Sequence, residues 1–202
     1  MGKLLIVNGS PRAPRSNSKK YAEIFTRIWP QKADSYSVIT EKPETICPQI
    51  GQYEHILFVF PLYTDAIPAI LIPFLKCLEK APFSPNTKIH LIINCGFLEP
   101  EQNDVAVSML DCFCEKHRLT VGMKLRIATG EAILSTPFSV LVKRKIKKFV
   151  KGILNDRRET LTAVMPLSKN MFLKASSKYW INYGKKFDTD EAKMRCLKIE
   201  DR

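Results

Sequence analysis

The sequence predicts an α/β protein: a doubly wound, parallel sheet of five strands in the order 2-1-3-4-5, with a helical C-terminal extension. Three observations predict it. Short apolar runs alternate with stretches of helical periodicity. The first, third and fourth runs are nearly unbroken, as in strands covered on both faces, whereas the second and fifth alternate, as in half-covered edge strands. No internal repeat, low-complexity tract or Gly/Ser linker divides the 202 residues. They read as a single domain, with a core over about 1–155 and an extension over about 156–202.

The elements follow in order. Leu4–Val7 is an apolar strand, and Ser18–Trp29 a helix with Tyr21, Ile24, Phe25 and Ile28 on one face. Ser35–Thr40 alternates as a short strand, and His55–Phe60, "HILFVF", is a continuous apolar one. A helix lies within Pro68–Lys80, and Ile89–Asn94, "IHLIIN", is a second buried strand containing His90, read as a structural histidine. Asn103–His117 is helical, with Ala106, Met109, Leu110 and Phe113 as its stripe. In Met123–Thr129, Met123, Leu125 and Ile127 alternate with Lys124 and Arg126. The helix Ser139–Leu154 and at least one more over Ser168–Lys186 complete the chain. The strand order is the flavodoxin-like one. Its ligand crevice lies beyond the carboxyl ends of the strands, at the switch between strands one and three.

Composition sets limits. Hydrophobic residues at 45% and charged ones at 26% are ordinary globular values. No apolar run approaches the roughly 20 residues that span a bilayer, and "LLIV" is too short for a signal-peptide core. The expected compartment is the cytoplasm. Six cysteines without a C-x-x-C pair, and three histidines not grouped with them, predict reduced thiols and no metal site. The net charge of +12 is uneven: residues 1–130 carry 15 Lys/Arg against 12 Asp/Glu, and residues 131–202 carry 17 against 8. Charge alone does not choose among small anions, nucleic acid and anionic lipid.

The loop "GSPRAPRSNS", Gly9–Ser18, leaves the first strand at the switch point and opens the first helix. A phosphate there would meet unpaired N–H groups and the positive end of the helix dipole. Ser10, Ser16, Asn17 and Ser18 offer donors, and Arg12 or Arg15 a charge-assisted contact. The competing reading is a surface loop in which Ser16 or Ser18 caps the helix. Loop position and loop chemistry agree on the anion site. With one glycine the loop is neither G-x-G-x-x-G nor a Walker loop. It lacks the cysteine of a thiolate phosphatase, and no aspartate ends strand one or three as in a receiver domain. What remains is a loop that binds phosphate without reacting on it, and so anchors a cofactor.

Two further loops share that sheet edge. "PLYTDAIPAILIP", Pro61–Pro73, is stiffened by prolines, and its Tyr63 and Thr64 can reach a flat ligand. "NCGFLEPEQ", Asn94–Gln102, contains Gly96, which allows close approach, and Phe97, which can cover a ring. Ordinary turns also account for both stretches.

"GSPRAPRSNS" and "PLYTDAIPAILIPFLK" together resemble the motifs of the flavodoxin-like NAD(P)H-dependent FMN reductases and related quinone and azo-compound reductases, over roughly residues 3–130. The resemblance implies that Ser10, Arg12, Ser16, Asn17 and Ser18 hold the FMN phosphate. It implies that Pro61, Leu62, Tyr63, Thr64 and Asp65 line the isoalloxazine, with Cys95, Gly96 and Phe97 on the next loop. It further implies FMN as cofactor, NADPH or NADH as reductant, a small electron acceptor such as a flavin or quinone, and a homodimer. No side chain is needed as acid or base, so no catalytic residue is named. The chain departs from the commonest family form in a longer first loop containing Pro14, in a single glycine after strand four, and in Pro73, which requires the third helix to start near Ile72 or the loop to lengthen. Asp65 is expected to face water.

In "SVLVKRKIKKFVKGIL", Val142, Ile146, Phe149, Val150 and Ile153 form one stripe with the lysines largely outside it. The fold needs a docked helix here, so solvated lysines are preferred to a nucleic-acid or membrane-surface role. Two rival functions remain: an electron-carrier flavoprotein, which +12 disfavours, and a basic binding or regulatory protein that keeps the fold without the cofactor.

Overall fold

Strand β1, Lys3–Asn8, is buried from Leu4 onward because it has a parallel neighbour on each side, β2 (Ala33–Ser37) and β3 (Tyr53–Pro61). A computed structural model describes residues 2–12 and 15–196. Between β1 and β2 runs α1, Asn17–Ile28, which buries Tyr21 and Phe25, with Ile24 and Ile28 half-buried. Strand β2 stops at Ser37, short of the expected Thr40, because Ser37 O accepts from the N–H groups of Thr40 and Glu41 and turns the chain. The link to β3 contains a short helix, α2 (Pro43–Ile46), and a 3-10 segment, Cys47–Gln52, neither of which the periodicity indicates.

A 3-10 turn, Ala69–Leu71, leads into α3, Ile72–Leu78. Pro73 therefore sits in the first helical turn, where its missing N–H would have had no partner. Strand β4 is Lys88–Asn94, and α4 is Asp104–Lys116. The buried stripe of α4 is Ala106, Val107, Leu110 and Cys114; Met109, expected inside, is 39% exposed. Strand β5, Thr120–Ile127, is followed by α5, Ser139–Leu154, which buries Val142, Ile146, Phe149, Val150 and Ile153 against β5, β6 and α1.

The sheet has six strands rather than five. Thr160–Ala163 forms β6 and pairs in parallel outside β5, giving the order 2-1-3-4-5-6. Strand β5 is thus interior, and its alternation has another cause than a bare edge. Lys124 and Arg126 lie under α4, paired with Asp111 and Asp104. The pattern records a layer of ion pairs.

Residues alternate across the sheet. Leu5, Val7, Ile56, Phe58 and Phe60 join α3 and α4 side chains in one cluster, where Phe74 stacks on Tyr36 at 4.8 Å. On the opposite face Phe25 meets Phe149 edge-on at 6.1 Å.

The chain forms two compact units, Met1–Met165 and Pro166–Arg202. The second contains α6 (Lys169–Gly184), a 3-10 turn Lys185–Phe187 and α7 (Glu191–Arg195). Ser168 caps α6 by accepting from Met171 N, and Asp190 caps α7 by accepting from Lys193 N.

Candidate functional site

The loop after β1 is built by its own side chains. Asn8 Oδ1 accepts from Ser10 N at 3.1 Å, and Ser10 Oγ from Arg12 N at 3.3 Å. Gly9 packs so close to the next strand that a Cβ would lie 3.1 Å from Phe60 Cβ. Pro14, expected inside this loop, lies outside the described residues. Ser16 is the N-cap of α1: its oxygen accepts from Lys19 N at 3.1 Å. The hydroxyl proton stays available to donate, so capping and anion binding are compatible. The first-turn N–H groups of Asn17 and Ser18 have no intrahelical acceptor.

The loops after β3, β4 and β5 meet the start of α1. Ser18 Oγ donates to Asn94 Oδ1 at 3.0 Å, and Leu62 N donates to Asn94 O at 2.7 Å. Asn17 Nδ2 donates to the carbonyls of Gly130 and Glu131, both at 3.1 Å, and the buried Tyr21 hydroxyl donates to Gly130 O at 2.7 Å. Burial pushes the Tyr21 phenol well above its ordinary pKa, so it remains a donor. Gly130 N in turn donates to Cys95 O at 2.7 Å, and a Cβ at Gly130 would lie 2.8 Å from Asn94 Cβ.

A cavity of about 90 Å³ opens at this junction. Ser10, Arg12, Ser16, Asn17 and Ser18 line one side with Arg15; Pro61, Tyr63, Asn94 and Glu131 line the other. Ser10, Ser16 and Ser18 are buried, and Tyr63 is 39% exposed. The volume is well above the roughly 10–15 Å³ that admits a single water, and well below the roughly 300 Å³ of a small-molecule pocket. It has room for a phosphate group. A larger planar group would have to extend over the open surface that carries Tyr63, Gly96 and Phe97.

The remaining expected residues are placed differently. Leu62 packs against the hydrophobic core. The Cys95 thiol is buried and accepts from Asn103 Nδ2 at 3.3 Å, so only its backbone is left for the cleft; burial pushes its pKa up. Gly96 and Phe97 are exposed, with no Cβ clash at Gly96 closer than 3.9 Å. Thr64 and Asp65 are exposed as the two central residues of a tight turn closed by Tyr63 and Ala66, with φ of 50° and 55°.

That turn has type I′ geometry, which favours Asn-Gly. A β-branched residue at positive φ is strained by about 1–2 kcal/mol. Thr129, in the loop after β5, is buried with φ of 53°, so a second strained threonine stands at the same sheet edge. Changing Thr64→Asn together with Asp65→Gly should raise stability by about 1–2 kcal/mol, read as a higher urea midpoint at constant slope. An unmoved midpoint would mean that this turn is not strained.

Sequence reasoning missed Asn94, Tyr21, Gly130 and Glu131. The expected strand ran to Thr129, which absorbed the start of the β5 loop; "TGE" after an apolar run was the available signal. Glu131 brings a carboxylate to the cleft, and Arg12 Nη1 lies 3.4 Å from it with both side chains more than half exposed. Among the described residues no group of three or more His, Cys, Asp or Glu could hold a metal ion, and no helix is long and apolar enough to cross a membrane.

No family model matches the chain, and no curated protein matches it in sequence. Its backbone does match solved structures. An FMN-dependent NADH-azoreductase from Bacillus anthracis, solved with FMN, superimposes with a TM-score of 0.60 at 15% identity, over 76% of this chain and 99% of that one. A flavodoxin from Streptococcus pneumonia TIGR4 gives 0.57 at 11% identity, over 75% and 98%. The fold is flavodoxin-like. An NADPH-quinone reductase from P. pentosaceus gives 0.55 at 14% identity, over 75% and 96%. At such identities the flavodoxin-like likeness is one of backbone, and the chemistry must be argued from the cleft.

Proposed function

We propose that this chain is an FMN-dependent NAD(P)H oxidoreductase that reduces a small acceptor such as a flavin, a quinone or an azo compound. One observation carries the reading: three buried serines, two arginines and the open first turn of α1 converge on a phosphate-sized cavity at the sheet's switch point. The fit to FMN rests on that donor set. Ser10 and Ser16 would hold the phosphate through their hydroxyls, Asn17 and Ser18 through their backbone N–H groups, with Arg12 and Arg15, and Glu131 would have to release Arg12. Pro61, Tyr63, Thr64, Asp65, Gly96 and Phe97 border the surface left for the ring, with Leu62 and Cys95 supporting it from behind.

FMN, when bound, supplies two-electron redox chemistry between a nicotinamide and an acceptor. The protein's own work is to bind, orient and partly cover the reacting groups, so no acid or base is assigned. The solved neighbours include FMN-dependent and NAD(P)H-dependent reductases, which supports this reading. It extends to a homodimer in the cytoplasm using NADH or NADPH. An electron-carrier role fits less well, because a net charge of +12 is opposite to that of acidic carriers that dock on basic partners.

The test is optical. Purified protein with added FMN should retain the flavin through gel filtration, and anaerobic NADPH or NADH should bleach its visible band, with colour restored by a quinone. Protein that takes up no FMN would sink the proposal. Retained FMN that neither nucleotide bleaches would leave a flavoprotein that is not this reductase.

A further inference from the structure

The second unit carries a surface that the cleft does not explain. On α6, with 3.6 residues per turn, Phe172, Leu173, Tyr179, Trp180 and Tyr183 fall within an arc of about 120°. Phe187 extends the row just past the helix, its ring 5.3 Å from that of Tyr183. Tyr179, Trp180 and Tyr183 pack on one another with centroids 5.2–6.2 Å apart. This ridge is wet: Tyr179, Trp180, Tyr183 and Phe187 are 42–65% exposed. Aromatic side chains in a contiguous exposed patch mark an interaction surface. Along α6 and the turn after it the charge has one sign, and the acidic residues Asp188, Asp190 and Glu191 begin only past Phe187. Residues 169–187 contain five lysines and no Asp or Glu, with Lys174 and Lys178 on the side of α6 away from the ridge and Lys186 over the Tyr183 ring.

We propose that α6 is an interfacial helix that docks this protein on an anionic phospholipid surface. The rings would sit at headgroup depth, where amphipathic Trp and Tyr are most stable; Lys169 and Lys186, on the ridge side, would meet the lipid phosphates, and Lys174 and Lys178 would face water on the polar side. Charge complementarity selects this occupant. A second copy would bring its own lysine-rich, acid-free ridge against this one. Single-stranded RNA needs a groove that tracks its backbone and ring faces on which bases can stack. Here the ridge is a single convex helix whose rings already stack on each other. The inference is independent of the flavin reading.

The test is co-sedimentation of the full chain with phosphatidylcholine vesicles and with vesicles containing about one third phosphatidylserine. At about 0.1 M salt the protein should pellet only with the anionic vesicles, and about 1 M salt should release most of it as the Debye length falls from about 10 to about 3 Å. Trp180 emission should shift to the blue on binding, against a constant contribution from Trp29, which is buried in the first unit. Tyr179→Ser, Trp180→Ser and Tyr183→Ser together should lower partitioning by at least about tenfold, with far-UV dichroism unchanged because these side chains are exposed. Lys169→Gln with Lys186→Gln should weaken binding and flatten its salt dependence.

The proposal would be overturned by no pelleting with anionic vesicles, by equal pelleting with neutral ones, by a serine variant that partitions like the parent, or by lipid-free association that the serine variant abolishes. The last would assign the ridge to a contact between copies. Oligouridine binding lost in the same variant would assign it to RNA.

Discussion

Replacing Arg12 and Arg15 together by alanine should weaken FMN binding by about a hundredfold or more, while riboflavin, which lacks the phosphate, binds as before. Both guanidinium groups border the phosphate-sized cavity. A hydrogen bond to a charged group contributes about 1.5–3 kcal/mol, and solvent screening of these exposed side chains puts each near the lower figure. That is about tenfold per arginine. Arginine is the better target than Ser16, because Ser16 also caps α1, and losing a cap costs about 1 kcal/mol of stability by itself. Flavin fluorescence titrations with FMN and riboflavin give both constants. If FMN affinity is unchanged, the arginines do not hold the phosphate; if riboflavin weakens equally, the substitutions have disturbed the fold.

At the far end of the sheet a second large effect is expected, on stability against pH. Met123 N donates to His90 Nδ1 at 3.0 Å, which places the His90 proton on Nε2. That N–H faces His55 Nδ1 at 3.1 Å, so the proton of His55 must in turn be on Nε2. Burial, then the neighbouring His55 and Lys88, hold His90 down to a pKa of about 3, with Asp156 acting weakly the other way. Burial and Lys88 also lower His55, while Glu54 and Asp156 act to raise it.

The sign follows from proton counts. Between about pH 6.5 and about pH 3 the unfolded chain protonates this imidazole and the folded chain does not, so stability falls as pH falls. The contribution is full above pH 6.5 and falls by about 1.4 kcal/mol per pH unit below it, ending near pH 3. His90→Asn keeps an acceptor for the Met123 N–H and removes the titration. Urea unfolding from about pH 6 to about pH 4 should then show a slope lower by about one proton. Equal slopes in the two proteins would mean that His90 is not held neutral.

Much of this architecture could be read locally. Hydrophobic period is a property of neighbouring residues, and the runs at 4–7, 55–60 and 89–94 need both faces covered whatever lies elsewhere in the chain. The docked face of α5 was legible for the same reason, since its apolar stripe recurs at helical spacing. Hydroxyls and arginines just after the first strand, opening a helix, also marked that loop as the candidate anion site before any contact was known.

Pairings between distant residues were not legible, because no local pattern encodes them. Strand β6 has only four residues, two of them threonines, and it becomes a strand because β5 offers it a free edge. Arg12 meets Glu131 across 119 positions, Tyr21 meets Gly130 across 109, and Ser18 meets Asn94 across 76. Cys95 turns to Asn103 rather than to the cleft because successive side chains leave a strand on opposite faces. The sequence by itself determined the layers, the alternation of the first five strands with their main helices, and the donor groups of the first loop. Only the tertiary structure decided which other loops meet that one, and that a carboxylate stands among them, because loop junctions are set by strand order and register rather than by local preference.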